Sequence, residues 1–128
     1  MLKLFYCALG GALGSTLRFV ISTLLARSFG RGFPWGTLAV NLGGALLIGL
    51  LWGFSEKWSF SRETEIFLFI GILGGFTTFS TFAIENFDYF RQGEASIAII
   101  NILASNLGGL LLVYAGYLLA HLLLNLAR

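Results

Sequence analysis

An all-α integral membrane fold with four transmembrane helices is predicted by three observations. Of 128 residues, 57% are hydrophobic and only 11% are charged. The mean hydropathy is +0.86. The apolar residues fall in four long runs separated by three short polar stretches. A soluble domain of this size has too little interior to hide so much apolar surface. A helix needs about 20 mainly apolar residues to cross the roughly 30 Å hydrocarbon core. The chain therefore reads as a single transmembrane domain, 1–128, that crosses four times with little left over.

The first run spans about 4–26 and contains Arg18. Lys3 followed by an apolar run has the look of a signal peptide. The run passes twenty residues and carries no convincing A-x-A site, so it reads as a retained first helix. Arg27-Ser28-Phe29-Gly30-Arg31-Gly32 forms the first loop. Pro34, the only proline, opens a second helix of about 36–54, which closes at Glu56-Lys57-Trp58. Ser61-x-x-Thr64 with Glu63 and Glu65 places acids in the first turn of a third helix of about 65–90, where the macrodipole favours them. Arg91-Gln92-Gly93-Glu94 then turns the chain into a fourth helix of about 95–125. Short loops make neighbouring helices antiparallel, giving an up-down bundle. Small residues let helices approach in lipid, and Gly10-x-x-x-Gly14, Gly49-x-x-x-Gly53 and the pairs Gly43-Gly44 and Gly108-Gly109 supply them.

Several function classes drop out. The net charge is +2, but the eight Lys and Arg stand singly, with no basic stripe to track a nucleic acid. A lone Cys7 excludes an internal disulfide, and one histidine excludes a Cys/His zinc cluster. No nucleophile or metal cluster accompanies Glu85, Asp88 or His121, so an enzyme reading has no support. Charge bias also fails to fix an orientation. Lys3, Lys57, Arg62 and Arg128 share one side, and Arg27, Arg31 and Arg91 the other. Four against three is nearly no excess, so either one orientation prevails through weak cues or the chain inserts both ways and pairs with an inverted copy of itself.

Polar residues in a span are costly and are candidates for function. Arg18 must face protein or water; it can draw an anion into a vestibule, pair with a helix C-terminus or snorkel outward. Asn41, near the start of the second helix, offers donors and an acceptor. Asn101 and Ser105 share a face of the fourth helix, with Asn106 beside them. Glu85 and Asp88 share a face of the third, where they can cap a pathway or pair with Arg27 or Arg91. The most unusual stretch is Gly74-Gly75-Phe76-Thr77-Thr78-Phe79-Ser80-Thr81-Phe82. Paired glycines and successive hydroxyl side chains weaken a helix, so a break is expected there, mid-membrane. Irregular backbone at that depth is tolerated where it lines a cavity. Phe79 and Phe82 lie three apart on one face, and their positive ring edges can meet a small anion or simply pack against lipid or core.

These nine residues, Gly36-Thr37-Leu38-Ala39-Val40-Asn41-Leu42, and Gly10-Gly11-x-x-Gly14-x-x-x-Arg18 together resemble the Fluc (CrcB) family of fluoride channels. The resemblance implies passive fluoride export across the bacterial plasma membrane by an antiparallel, dual-topology homodimer. It places Phe79 and Phe82 as a ladder of ring edges, with Asn41, Ser80, Thr81 and Ser105 on the fluoride pathway and Arg18 in the vestibule. It also implies a structural sodium ion at the dimer centre, held by the backbone carbonyls of Gly74 and Thr77. Position 76 is Phe where the family pattern has a less bulky residue. A rival is a small multidrug-resistance type antiporter, which is expected to carry a carboxylate in its first helix; here Arg18 occupies that helix and the first acid is Glu56.

Overall fold

The structure, a computed structural model, describes residues 1–30 and 32–127. Arg31 and Arg128, which enter the charge balance above, lie outside the described residues. Five helices make up four long spans: α1 (Leu2–Phe29), α2 (Trp35–Lys57), α3 (62–76), α4 (Phe79–Arg91) and α5 (Ala95–Leu126). α3 and α4 together form the third span, Arg62–Arg91. All four spans are long and apolar enough to cross a membrane. Each extends beyond the range expected from hydropathy at one or both ends, because helical hydrogen bonding continues into interfacial residues that an apolar count omits.

The ends of these helices follow local chemistry. Pro34 precedes α2, and its carbonyl accepts the Leu38 N–H at 3.0 Å. Ser61 caps α3, its hydroxyl accepting the Thr64 N–H at 3.2 Å. α4 closes on Gly93, whose φ of 81° suits a residue without a side chain. The N–H groups of Gly93 and Glu94 bond back to Phe90 and Tyr89 at 3.1 and 2.8 Å, a Schellman closure that turns the chain into α5.

Packing divides into two close crossings. α1 lies on α3, and α2 lies on α5. A Cβ on Gly10 would come within 2.9 Å of Gly71 Cα, so the α1/α3 crossing is backbone on backbone. At this crossing α3 runs as a π-helical stretch, Ile66–Leu73, wider than an α-helix. Gly49 plays the matching part between α2 and α5, where a Cβ would sit 2.8 Å from the Val113 carbonyl carbon. Gly49→Val is therefore expected to force these helices apart and to destabilise the fold by about 1–3 kcal/mol, the usual cost of overpacking. Thermal unfolding in detergent checks this, and an unchanged midpoint would contradict it.

Candidate functional site: the Thr77–Thr78 interruption

Helical backbone stops at Phe76 and resumes at Phe79. Between them Thr77 (φ −83°, ψ 159°) and Thr78 (φ −149°, ψ 116°) are extended. The local sequence favours this: Gly74 and Gly75 are weak helix formers, and the Thr77 hydroxyl bonds back to the Leu73 carbonyl at 3.0 Å. Gly75 is needed for another reason, since a Cβ there would approach Gly11 Cα at 3.2 Å.

An extended pair within a span leaves backbone groups that need partners. Asn41 on α2 supplies two of them. Thr78 N–H donates to Asn41 Oδ1 at 2.8 Å, and Asn41 Nδ2 donates to the Thr78 carbonyl at 3.0 Å. One side-chain amide thus stands in for the neighbour a continuous helix would provide. Arg18 on α1 donates from Nη1 to the Thr77 carbonyl at 3.1 Å, a contact at the C-terminal end of α3, and also lines a cleft beside the interruption. Thr78 also caps α4, its hydroxyl accepting the Thr81 N–H at 3.3 Å and donating to the Thr81 hydroxyl at 3.0 Å.

Beyond the cap, Phe79, Ser80 and Thr81 are exposed on the single chain, Phe79 at 79%. The Phe79 and Phe82 ring centroids are 5.8 Å apart. Ser105 makes no hydrogen bond to the nine-residue motif itself among the described residues. Its hydroxyl donates to Asn101 Oδ1 at 3.4 Å, Asn101 Nδ2 donates to Asn86 Oδ1 at 3.0 Å, and Asn86 Nδ2 donates to the Phe82 carbonyl at 2.7 Å. Asn106 lies apart, bonded to the Ile102 carbonyl of its own helix at 2.7 Å.

A cleft of about 920 Å³ opens beside the interruption between α1, the start of α2 and α4. Arg18, Thr37, Thr81, Glu85 and Asp88 line it, so it carries both signs of charge. The Thr37 hydroxyl donates to Glu85 Oε1 at 2.7 Å, while Glu85 Oε2 is buried with no hydrogen-bond partner. Asp88 pairs with Arg91 at 3.2 Å. The shared helix face of Glu85 and Asp88 was legible, but Glu85's partner is a threonine on another helix, which spacing along one helix does not reveal. His121 stands 3.3 Å from Glu56, which also accepts from Tyr117 at 3.0 Å, far along the chain from the motif.

A shallower groove of about 320 Å³ reaches the interruption from another side, lined by Asn41, Gly44, Phe69, Gly74 and Thr77 among others. No cluster of three or more His, Cys, Asp or Glu side chains exists among the described residues, so the oxygens this groove offers a cation are backbone carbonyls and the neutral side chains of Asn41 and Thr77. Gly74 offers one. The N–H that a continuous helix would direct at its carbonyl belongs to Thr78 and is engaged by Asn41.

Residues 5–117 match the family model described as CrcB-like protein, Camphor Resistance (CrcB). The chain belongs to the CrcB family. A relative from Parabacteroides distasonis, named fluoride-specific ion channel FluC, is 44% identical over 128 residues, covering 100% of both chains. A protein of the same name from Salinibacter ruber is 45% identical over 91% of this chain and 87% of its own. Another from Thermus thermophilus is 46% identical over 86% of this chain and 88% of its own. With four spans and this membership, the CrcB chain is a multi-pass bacterial membrane protein and not an enzyme. The antiporter alternative has no support: the CrcB matches cover all four spans, and α1 carries Arg18 in place of an acid.

Proposed function

We propose that this chain is a fluoride-selective channel that lets fluoride leave the cell passively across the plasma membrane, and that two copies of opposite orientation enclose the path. The observation that carries this reading is the placing of Phe79, Ser80 and Thr81 on the outside of a single chain, directly after an interruption whose backbone is satisfied by Asn41 and Arg18. Hydroxyls facing lipid would be costly, and facing a second copy, with the Phe79 ring beside them, they form a lined passage. The names of the relatives support fluoride as the ion.

The chemistry of the lining suits a small, strongly hydrated anion. Conduction needs contacts good enough to replace water yet weak enough to release the ion. Positive ring edges at Phe79 and Phe82, with hydroxyls at Ser80, Thr81 and Ser105, are contacts of that strength. Asn41 has a second N–H beyond the one given to Thr78, and it is available to an ion. The bond of the Arg18 guanidinium to the Thr77 carbonyl draws it toward a structural task and away from trapping the ion. In this reading the interruption lies at mid-membrane depth.

The inverted pairing rests on the four-against-three charge balance, which gives neither orientation a decisive advantage. Such a pair has the symmetry that larger transporters encode as inverted repeats. A sodium ion at the centre fits the oxygens present: the Gly74 carbonyl is released from helical bonding, and the Thr77 carbonyl keeps a lone pair beside the one Arg18 uses. Bound there, the ion would supply fixed positive charge to hold the two interruptions together. Two carbonyls per chain are too few for a complete shell, so this fit itself calls for a second copy.

The test is fluoride efflux from liposomes holding the purified protein, followed with a fluoride electrode and with chloride as the control. Fast fluoride release with chloride retained is expected. No release from folded protein would sink the channel reading.

A further inference from the structure

Asn86 and Asn101 form a side-chain pair that the passage described above does not use. Asn101 is fully buried and Asn86 is 5% exposed, and the other fully buried side chains among the described residues are apolar. An amide pair is a demanding choice for such a position, because every buried donor and acceptor needs a partner. Here the partners are specific. Asn86 ties the pair to the Phe82 carbonyl, and Asn101 ties it to the Ser105 hydroxyl. The result is a continuous run of hydrogen bonds from the turn of α4 that carries Phe82, across the α4/α5 contact, to a hydroxyl one turn further along α5.

We propose that Asn86 and Asn101 are positioning residues for conduction: the run of bonds sets the Phe82 ring and the Ser105 hydroxyl in register on one path and holds the Ser105 proton in reserve. The inference rests on the fluoride-channel reading. Its physical content lies in the unequal lengths of the bonds. The two that join α4 to α5 and anchor Phe82 are 3.0 and 2.7 Å, firm contacts that resist relative sliding of the helices. The last is 3.4 Å, near the limit of a hydrogen bond, so the Ser105 proton is oriented but held weakly. An anion beside Ser105 can take that proton as a donor contact by hydroxyl rotation alone. Asn101 Oδ1 receives the proton again once the ion has passed. A lone serine on a helix would instead bond the carbonyl one turn back, as Ser15 does to Gly11 at 2.8 Å, and would give up that bond less readily.

The experiment compares wild type, Asn86→Leu/Asn101→Leu and Ser105→Ala for fluoride release from liposomes, with thermal unfolding and dimer content measured on the same samples. Replacing both buried partners by apolar groups of similar size is close to neutral for stability, so a purely structural clamp would keep its flux in the double variant. The positioning role predicts at least tenfold slower fluoride release at an unchanged unfolding midpoint, and at least threefold slower release for Ser105→Ala. Wild-type release from the double variant would overturn the inference. Should the double variant fail to fold, Asn86→Leu alone decides, since it leaves Ser105 and its Asn101 acceptor in place and cuts the tie to Phe82: slowed release from a folded sample supports the inference, and full release overturns it. Absence of release from the wild-type sample would instead fault the channel reading itself.

Discussion

Asn41→Leu is expected to abolish fluoride release and to destabilise the protein by about 2–4 kcal/mol, because two backbone groups each lose a partner worth about 1–3 kcal/mol when buried. Thr78 is 8% exposed, so water cannot readily take over. Its N–H and carbonyl both depend on the one amide of Asn41. Leucine matches asparagine closely in size and offers neither contact, so the loss is of hydrogen bonding and not of volume. Without it the interruption must either re-form helix through Thr77–Thr78 or draw in water. Both outcomes move Phe79 and the α4 cap. Thermal unfolding in detergent and efflux from liposomes read the two effects separately. A variant as stable and as active as wild type would show that the Asn41 contacts are incidental. Asn41→Asp, which keeps the acceptor for Thr78 N–H and loses the donor, is expected to fall between.

The second large effect is of the opposite kind. Phe79→Ile is expected to slow fluoride release by at least tenfold, about 1.4 kcal/mol in a barrier, with little change in stability. Phe79 is largely exposed on the single chain, and its recorded ring contact is with Phe82, so truncating the ring removes little packing within one copy. Isoleucine preserves an apolar surface and removes the positive edge that can face an anion. Unchanged release from a folded, dimeric variant would refute the ring-edge role.

Much of this was legible in the sequence because bilayer physics writes in long words. Four apolar runs were readable, as were the glycine pairs and successive threonines that weaken the helix before Phe79. Their consequences in three dimensions were less so. The π-helical stretch at Ile66–Leu73 coincides with a backbone crossing of Gly10 on Gly71, two positions that no local pattern links. Asn41 was readable as a polar residue in a span, but its two bonds to Thr78 depend on how α2 packs against the third span. Arg18 left its partner open, and the Thr77 carbonyl that accepts from it comes from another helix, which its own sequence context does not name. Asn86 was missed: one amide among Glu85, Asp88 and Arg91 looks like part of a polar helix end. The available signal was its placement four residues after Phe82, within reach of that carbonyl. Ser105 and Asn101 were correctly read as sharing a face, while the partner that joins them to α4 was invisible from one helix alone.

In the proposed channel one chain holds only part of a passage and an inverted copy completes it. Labelling a single engineered cysteine tests it most directly: Ser59→Cys, in the exposed loop between α2 and α3, on a Cys7→Ser background, probed with a membrane-impermeant maleimide in intact cells. With an inverted pair, about half of the protein reacts from outside and the rest only after the membrane is opened, as equal numbers of the two orientations require. Labelling that is complete from outside, or absent until permeabilisation, would mean a single orientation and would contradict the inverted pair.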